Sequence, residues 1–460
     1  MRKNLEFGKT IADKVQMQIP DCRFLALTLA FALSAVVKAE NWPQWRGPSF
    51  NGTTTESQLP GENLGTNQIV WAAPMPGPSA ATPVVWGDRV FVSAADKSSQ
   101  EVIAIGIDSN NGKELWRHVL STDHSMPGNN DMAAPSPVTD GEHVWFLTGN
   151  GALACFTKDG EQVWKRDLAA DYGAFVVNFG YSSSPLLFDG KLYVLVLQNE
   201  NPQKGGLNPD RQGPHESYLL ALDPATGQTQ WKHVRETEAT DQSRESYVTP
   251  CPVVWNGRQE LVLAGGECIT GHDPASGSEL WRWYYTPTNW NGKTQHVVPT
   301  PVAEDGLIFV VRPEHQPLYA LRAGASGLVG DQQVAWTFAR NKSWIASPLL
   351  YRGRLYVLQE EQRSLVCLDA KTGRELWDNK LPAKSPLQAS PTGADGKIYL
   401  FSMTGEIIVL AAGDEYRELA YLKLDESKCR STIVAANGRL FVRAGKNLYC
   451  IGESKGTASP

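Results

Sequence analysis

The seven cysteines of this chain include no adjacent pair, no Cys-x-x-Cys and no Cys/His set at zinc spacing, which excludes the usual redox motifs and structural zinc sites. No serine nucleophile elbow, His-Glu-x-x-His helix, Walker loop or strand-borne Gly-x-Gly-x-x-Gly occurs either. The common short signatures of hydrolases, metalloproteases and nucleotide binders are therefore missing. Excess positive charge is lacking too: 43 Lys and Arg stand against 49 Asp and Glu, a formal charge of −6 with no basic patch. That leaves no electrostatic basis for nucleic acid or an anionic membrane surface as a partner. The long apolar run from Phe24 to Val37 has fourteen residues, short of the about 20 that span a bilayer.

What the chain does have is 15 Trp, 41 Gly and 29 Pro, with 42% hydrophobic and 20% charged residues in 460. This composition belongs to a globular protein with a core and favours many short strands joined by turns. Length alone allows about three average domains. At the N-terminus, Arg2, Lys3, Lys9, Lys14 and Arg23 precede the apolar run, and Val37-Lys38-Ala39 follows it. That order predicts a signal peptide over residues 1–39, cut after Ala39 and read from Met1 or Met17, and hence an exported periplasmic or extracellular protein. Export would permit disulfides, and Cys251 and Cys268 could pair. Cys155, Cys367 and Cys450 occupy a slot that elsewhere holds Ala104, Ala221 or Ala320, which reads as a small buried position.

Self-comparison carries most of the information. A Pro-containing strand start recurs at Thr82-Pro83, Ser136-Pro137, Ser184-Pro185, Pro250-Cys251-Pro252, Thr300-Pro301, Ser347-Pro348 and Ser390-Pro391, with a Pro-less copy at Ser431-Thr432. After most copies, a Gly-containing turn leads to alternating apolar residues such as Lys191-Leu192-Tyr193-Val194 and Arg354-Leu355-Tyr356-Val357. Period two with aromatic and branched residues means strands. A third element closes each unit: Asp108, Asp223, Asp273 and Asp369 lie four residues before Gly112, Gly227, Gly277 and Gly373, each four before Trp116, Trp231, Trp281 and Trp377. Asp caps the turn, Gly supplies a positive φ, and Trp opens the next strand and covers its sheet.

Each repeat thus predicts four antiparallel strands, and eight copies predict an all-β, eight-bladed β-propeller over residues 67–455. The last copy lacks its Trp strand, and residues 67–71, ending in Trp71, supply it from the other end of the chain and close the ring. Docking positions fall at Trp71, Trp116, Trp164, Trp231, Trp281, Trp336 and Trp377, while blade 7 has Ala420-Tyr421 instead. Residues 40–66 form an N-terminal rim segment and 456–460 a tail.

Asp-x-x-x-Gly-x-x-x-Trp in register with Ser/Thr-Pro strand starts resembles the pyrroloquinoline-quinone (PQQ) repeat, the propeller of quinoprotein alcohol dehydrogenases and of BamB. Asn41-Trp42-Pro43-Gln44-Trp45-Arg46-Gly47-Pro48 resembles an opening found in exported bacterial proteins of this class. It reads as a clasp in which Trp42 and Trp45 pack on the rim and Arg46 bonds backbone carbonyls. The resemblance to the dehydrogenases implies a vicinal cysteine pair, calcium ligands from Glu, Asn and Asp, and an Asp base, and this chain has no adjacent cysteines. BamB implies a lipid-attachment cysteine, which is also missing, since Cys22 precedes the apolar run.

Function is expected in the loops that lead into each inner strand, which converge near a propeller's axis. They carry His124, Asn129, Asn130 and Asp131, then Asn178 and Tyr181, then Arg244, Glu245 and Tyr247, then Trp290, Lys293 and His296. Arg340, Lys342, Trp344, Lys384, Gln388, Lys428 and Arg430 follow. From these, Arg244, Glu245, His296, Lys342, Trp344 and Arg430 are the candidate ligand-binding residues, with no catalytic residue, metal or cofactor expected. The cations point to an anionic or polar ligand. The reading is a non-catalytic binding or scaffold propeller for a protein or saccharide. The alternative is a divergent PQQ- and calcium-dependent alcohol or sugar dehydrogenase.

Overall fold

The computed structural model describes residues 40–122, 130–200, 215–285, 296–312, 316–424 and 428–453. Eight antiparallel sheets follow one another as the blades of a propeller. Blades 1 to 7 cover residues 84–121, 138–167, 186–234, 251–284, 302–338, 349–380 and 392–423. Blade 8 joins residues 434–452 to the N-terminal strand Ile69–Pro74, with Trp71 opposite Cys450. The ring is closed as expected, so no sheet edge is left at the join.

Burial within a blade follows strand position. The second and third strands are buried almost throughout, as in Arg89–Asp96 and Glu101–Asp108, whereas the outermost, Glu114–Ser121, alternates. In the turn between third and fourth strands, the Asp108 carboxylate accepts from the Asn110 amide at 2.8 Å, and the Gly112 amide bonds the Asp108 carbonyl at 2.9 Å. Gly112 has φ +74°, and a Cβ there would lie 2.7 Å from the ring of Trp71. The turn therefore needs glycine twice over, for its backbone and for the ring that lies on it.

That ring belongs to the preceding blade. Trp71, Trp116, Trp164, Trp231 and Trp336 each rest on the turn glycine of the following blade, Gly112, Gly160, Gly227, Gly277 and Gly373 respectively. Most also tie that turn by an indole N–H, as Trp164 does to the Pro224 carbonyl at 2.9 Å, and Trp377 bonds the Gly413 carbonyl at 3.1 Å. The tryptophan thus links two blades as well as covering its own sheet.

The small slot has its explanation in the same contact. Directly across the sheet from each docking tryptophan stand Gly106, Cys155, Ala221, Gly271, Ala320, Cys367 and Cys450. In blade 1 the slot residue is Gly106; Ala104 faces His118. Blade 7, with Ala420 for Trp, sets Val409 opposite it, exchanging large and small across the pair. The six cysteines beyond residue 39 are all free and buried, Cys251 and Cys268 included. Burial pushes the Cys155, Cys251, Cys367 and Cys450 thiols up to about 12.

Trp281 departs from the pattern. A short strand, Gly327–Val329, leaves the blade 5 sequence and pairs in parallel with Glu279–Tyr284, giving blade 4 a fifth strand. Trp281 is 2% exposed and donates to the Glu260 carboxylate at 2.9 Å within its own blade. Trp255 lies instead against Gly306 and Gly324 of blade 5.

Residues 40–60 cross the ring. Trp42 is fully buried and exchanges backbone bonds with Val85 of blade 1, and the Thr139 amide of blade 2 bonds the Pro43 carbonyl at 2.9 Å. Phe50 stacks edge-on against Phe188 of blade 3, Gly52 and Thr54 bond Gly393 of blade 7, and the Glu56 carboxylate accepts from the Gly438 amide of blade 8. Arg46, 2% exposed, donates to the Asn51 and Pro348 carbonyls at 2.8 and 2.6 Å, the clasp chemistry expected of it. The position differs from that expectation, because Trp45 stands on the axis and not on the rim.

Candidate functional site

The Ser/Thr of each strand start sits at the innermost point of its blade and serves its neighbour. The amides of Thr82, Ser136, Ser184, Thr249, Thr300 and Ser347 donate in turn to the hydroxyls of Ser136, Ser184, Thr249, Thr300, Ser347 and Ser390, and the Thr432 amide donates to the Thr82 hydroxyl. These seven bonds measure 2.8–3.3 Å and circle the axis. Proline follows every ring residue except Thr432, which precedes Ile433; it has no N–H and fixes the strand's entry. In blade 4 the ring residue is Thr249 rather than Cys251 of the expected start, because the inner strand Cys251–Trp255 is longer at this end.

Above the ring lies a cavity of about 260 Å³ whose lining comes from the loops of all eight blades. Trp45 forms part of it, its indole N–H donating to the Thr249 hydroxyl at 3.0 Å. Phe179, Tyr247, His296 and Trp344 supply aromatic faces, Asn130 and Gln388 supply amides, and Arg430 supplies a cation. His296 packs against Phe179 and Tyr247 and takes a bond from the Gln242 amide on Nδ1 at 2.6 Å. Burial lowers its pKa to about 4, so the ring is neutral near pH 7, with its proton on Nε2.

Buried carboxylates hold these loops in place. Glu360 accepts from the Ser343 hydroxyl and from the Trp344, Ile345 and Ala346 amides at 2.8–3.2 Å. Glu245 accepts from the Asn178 amide, the Asn199 side chain and the Tyr247 hydroxyl, each at 3.0 Å. Burial pushes both carboxyls up, against the pull of these bonds. The pocket wall is thereby fixed before any ligand arrives.

The sequence profile described as outer membrane protein assembly factor BamB matches residues 53–202, 99–327 and 265–418, overlapping registers of one repeat. The chain belongs to the PQQ-repeat β-propeller family. Over 238 residues it is 26% identical to the quinohemoprotein alcohol dehydrogenase ADH-IIG of Pseudomonas putida, covering 49% of this chain and 28% of that one. The chain therefore matches little more than a quarter of that relative's length. A europium-containing methanol dehydrogenase shares the fold with a TM-score of 0.65 at 11% identity, over 89% of this chain and 90% of that one. BamB from Moraxella catarrhalis does so with a TM-score of 0.58 at 14% identity, over 84% and 99%. Both likenesses concern the fold.

Within this PQQ-repeat propeller, the donor set of the axis can be compared with what a calcium-held quinone requires. Calcium takes hard oxygen ligands, carboxylates above all. The described lining contains no Asp, Glu or Cys, and no group of three His, Cys, Asp or Glu among the described residues is placed to hold a metal ion. Glu245 and Glu360 have their oxygens turned to loop donors. The described lining therefore supplies no carboxylate for calcium.

Of the candidate residues, His296, Trp344 and Arg430 line the cavity. Glu245 is fully buried behind Tyr247. Arg244 is outside the lining and pairs with Glu200 at 3.1 Å. Lys342 is exposed in a separate groove with Arg340, Asp378 and Lys380. His124, Asn129, Trp290 and Lys293 lie outside the described residues, as does the expected signal peptide. Sequence reasoning missed Trp45 and the hydroxyl ring, although the recurring Ser/Thr before Pro was the available sign.

Proposed function

We propose that this chain is an exported, non-catalytic binding propeller that receives the end of a saccharide in its axial pocket. The observation that carries this reading is the lining: Trp45, Phe179, Tyr247 and Trp344 interleaved with hydroxyls and amides in a cavity rooted on the hydroxyl ring. Aromatic faces suit the C–H faces of a sugar, and the hydroxyls and amides suit its O–H groups. About 260 Å³ is below the usual ligand pocket of roughly 300–1,000 Å³, so the site suits a chain end. Export rests on the basic, apolar and small-residue order of residues 1–39. No helix among the described residues is long and apolar enough to cross a membrane.

A glycan array probed with the full chain tests this. We expect binding to a restricted set of glycans, and Trp344→Ala is expected to abolish it while shifting Tm by less than about 2 °C, since Trp344 is only half-buried. Binding that survives Trp344→Ala, or no glycan bound, contradicts the reading. The second reading, a quinone-dependent alcohol or sugar dehydrogenase, is favoured by the identity to ADH-IIG. It requires that added quinone and Ca²⁺ raise Tm and support reduction of an artificial acceptor by an alcohol or aldose.

A further inference from the structure

We propose that Glu56 is the seat of the α-ammonium group of a chain cut after Ala39, so that removal of residues 1–39 locks the seam of the ring between blades 8 and 1; this rests on the exported reading and gives its cleavage a structural consequence. Glu56 is 4% exposed. One of its carboxylate oxygens accepts from the Gly438 amide of blade 8 at 2.8 Å, and the other accepts from the backbone nitrogen of Glu40. Among the described residues it has no Lys or Arg partner. A buried carboxylate without a cation is costly, and an opposite charge within bonding distance offsets that cost.

The cut supplies the charge. An endopeptidase of the export machinery adds one water across the Ala39–Glu40 amide. The Ala39 carbonyl carbon gains the water oxygen and ends as a carboxylate, while the Glu40 nitrogen takes both water protons and ends as an ammonium group. With a pKa of about 8, an α-amine is protonated near pH 7. The atom that donates to Glu56 as an amide in the uncut chain then donates as a cation, and bonds between ionised partners are the strong ones. A cut elsewhere leaves an amide at Glu40 or removes its nitrogen.

The surrounding contacts hold that nitrogen in place. The Glu40 carboxylate accepts from the Thr55 hydroxyl at 2.8 Å and also from the Thr54 hydroxyl and the Thr55 amide. The Asn41 side chain accepts from the Gly87 amide at 2.8 Å, and Trp42 exchanges backbone bonds with Val85, which fixes the chain on blade 1. Across the seam, the Asn437 side chain of blade 8 donates to the Gly87 carbonyl at 2.7 Å. The ion pair thus ties the blade 1 side of the seam to Gly438 on the other.

The full precursor is expressed in a bacterial host, recovered from the periplasm and sequenced from its N-terminus, which is expected to read Glu40-Asn41-Trp42. A different first residue overturns the proposal and leaves export standing, whereas an uncut chain retained in the cytoplasm overturns both. The processed chain is then melted beside the same chain with Ala39 retained, each with Glu56 and with Glu56→Gln. Retaining Ala39 is expected to lower Tm by about 3 °C or more with Glu56 and by less than about 1 °C with Glu56→Gln. Equal Tm with Glu56, or an equal drop in both backgrounds, overturns the ion pair and leaves export standing. Cyanate labelling gives a second readout that needs no variant, because near pH 7 it modifies α-amines ahead of lysines, whose pKa is about 10.4. The Glu40 amine is expected to react about tenfold more slowly than that of a free Glu-Asn-Trp peptide, and an equal rate overturns the pair.

Discussion

Two rings are copied once per blade, an outer one of tryptophans and an inner one of Ser/Thr hydroxyls, and they fail differently. The outer ring lacks its tryptophan at Ala420, where Val409 fills the space across the sheet, and diverts it at Trp281, where Trp255 covers the next blade. Each departure is offset by a neighbouring apolar side chain. The inner ring opens between Ser390 and Thr432, and no neighbouring group among the described residues closes it. A gap in a hydrophobic interface costs free energy in proportion to its volume, so it is refilled. An open hydroxyl facing a cavity costs little, because water or a ligand satisfies it.

Substitutions can break or sharpen that contrast. The largest effect is expected for Trp281→Ala, about 4 kcal/mol by chemical denaturation, since it empties a fully buried site and strips Glu260 of its indole donor. Trp164→Ala, half-buried at a regular interface, is expected to cost about 3 kcal/mol. A loss below about 1 kcal/mol for either would place the stability of the ring elsewhere. Next, Ala420→Trp alone is expected to cost about 1–3 kcal/mol by overpacking against Val409. Adding Val409→Ala is expected to recover most of that, with a coupling of about 1 kcal/mol or more in the double-mutant cycle. Additive effects would mean that the two residues do not compensate. The smallest effects concern the inner ring: Thr249→Val, which strands the Ser184 amide and the Trp45 indole, is expected to cost about 1–2 kcal/mol, against less than about 0.5 kcal/mol for Thr432→Val. Equal losses would make the open step no different from the closed ones.

The outer ring was legible in the sequence because its chemistry is local. Asp, Gly and Trp at spacings of four describe one turn and the strand after it, and their recurrence counts the blades. The destination of each tryptophan was not legible, since Trp164 on Gly227 joins residues of two different repeats. Ala104 was aligned to the small slot because it is apolar and near, but the sheet register puts Gly106 there. Cys251-Pro252 imitates Ser-Pro, and only the extra length of the blade 4 strand shows that Thr249 belongs to the ring.

The site was half legible for a related reason. His296, Trp344 and Arg430 could be placed because every loop before an inner strand approaches the axis. Arg244 and Lys342 come from the same loops and end elsewhere, one in an ion pair with Glu200 and one in an outer groove. A long cation reaches solvent or a partner as easily as the axis, and nothing in its spacing says which. Trp45 lies outside the repeat, so no periodicity could reveal that it reaches the centre.

The central claim is tested most directly by a crystal structure of the full chain with the tightest-binding glycan from the array. The account predicts electron density for one sugar end on the axis, beside Trp45 and between His296 and Trp344, with an oxygen within hydrogen-bond distance of the Thr432 hydroxyl. Density confined to the outer grooves or blade edges, with an empty axis, would contradict it.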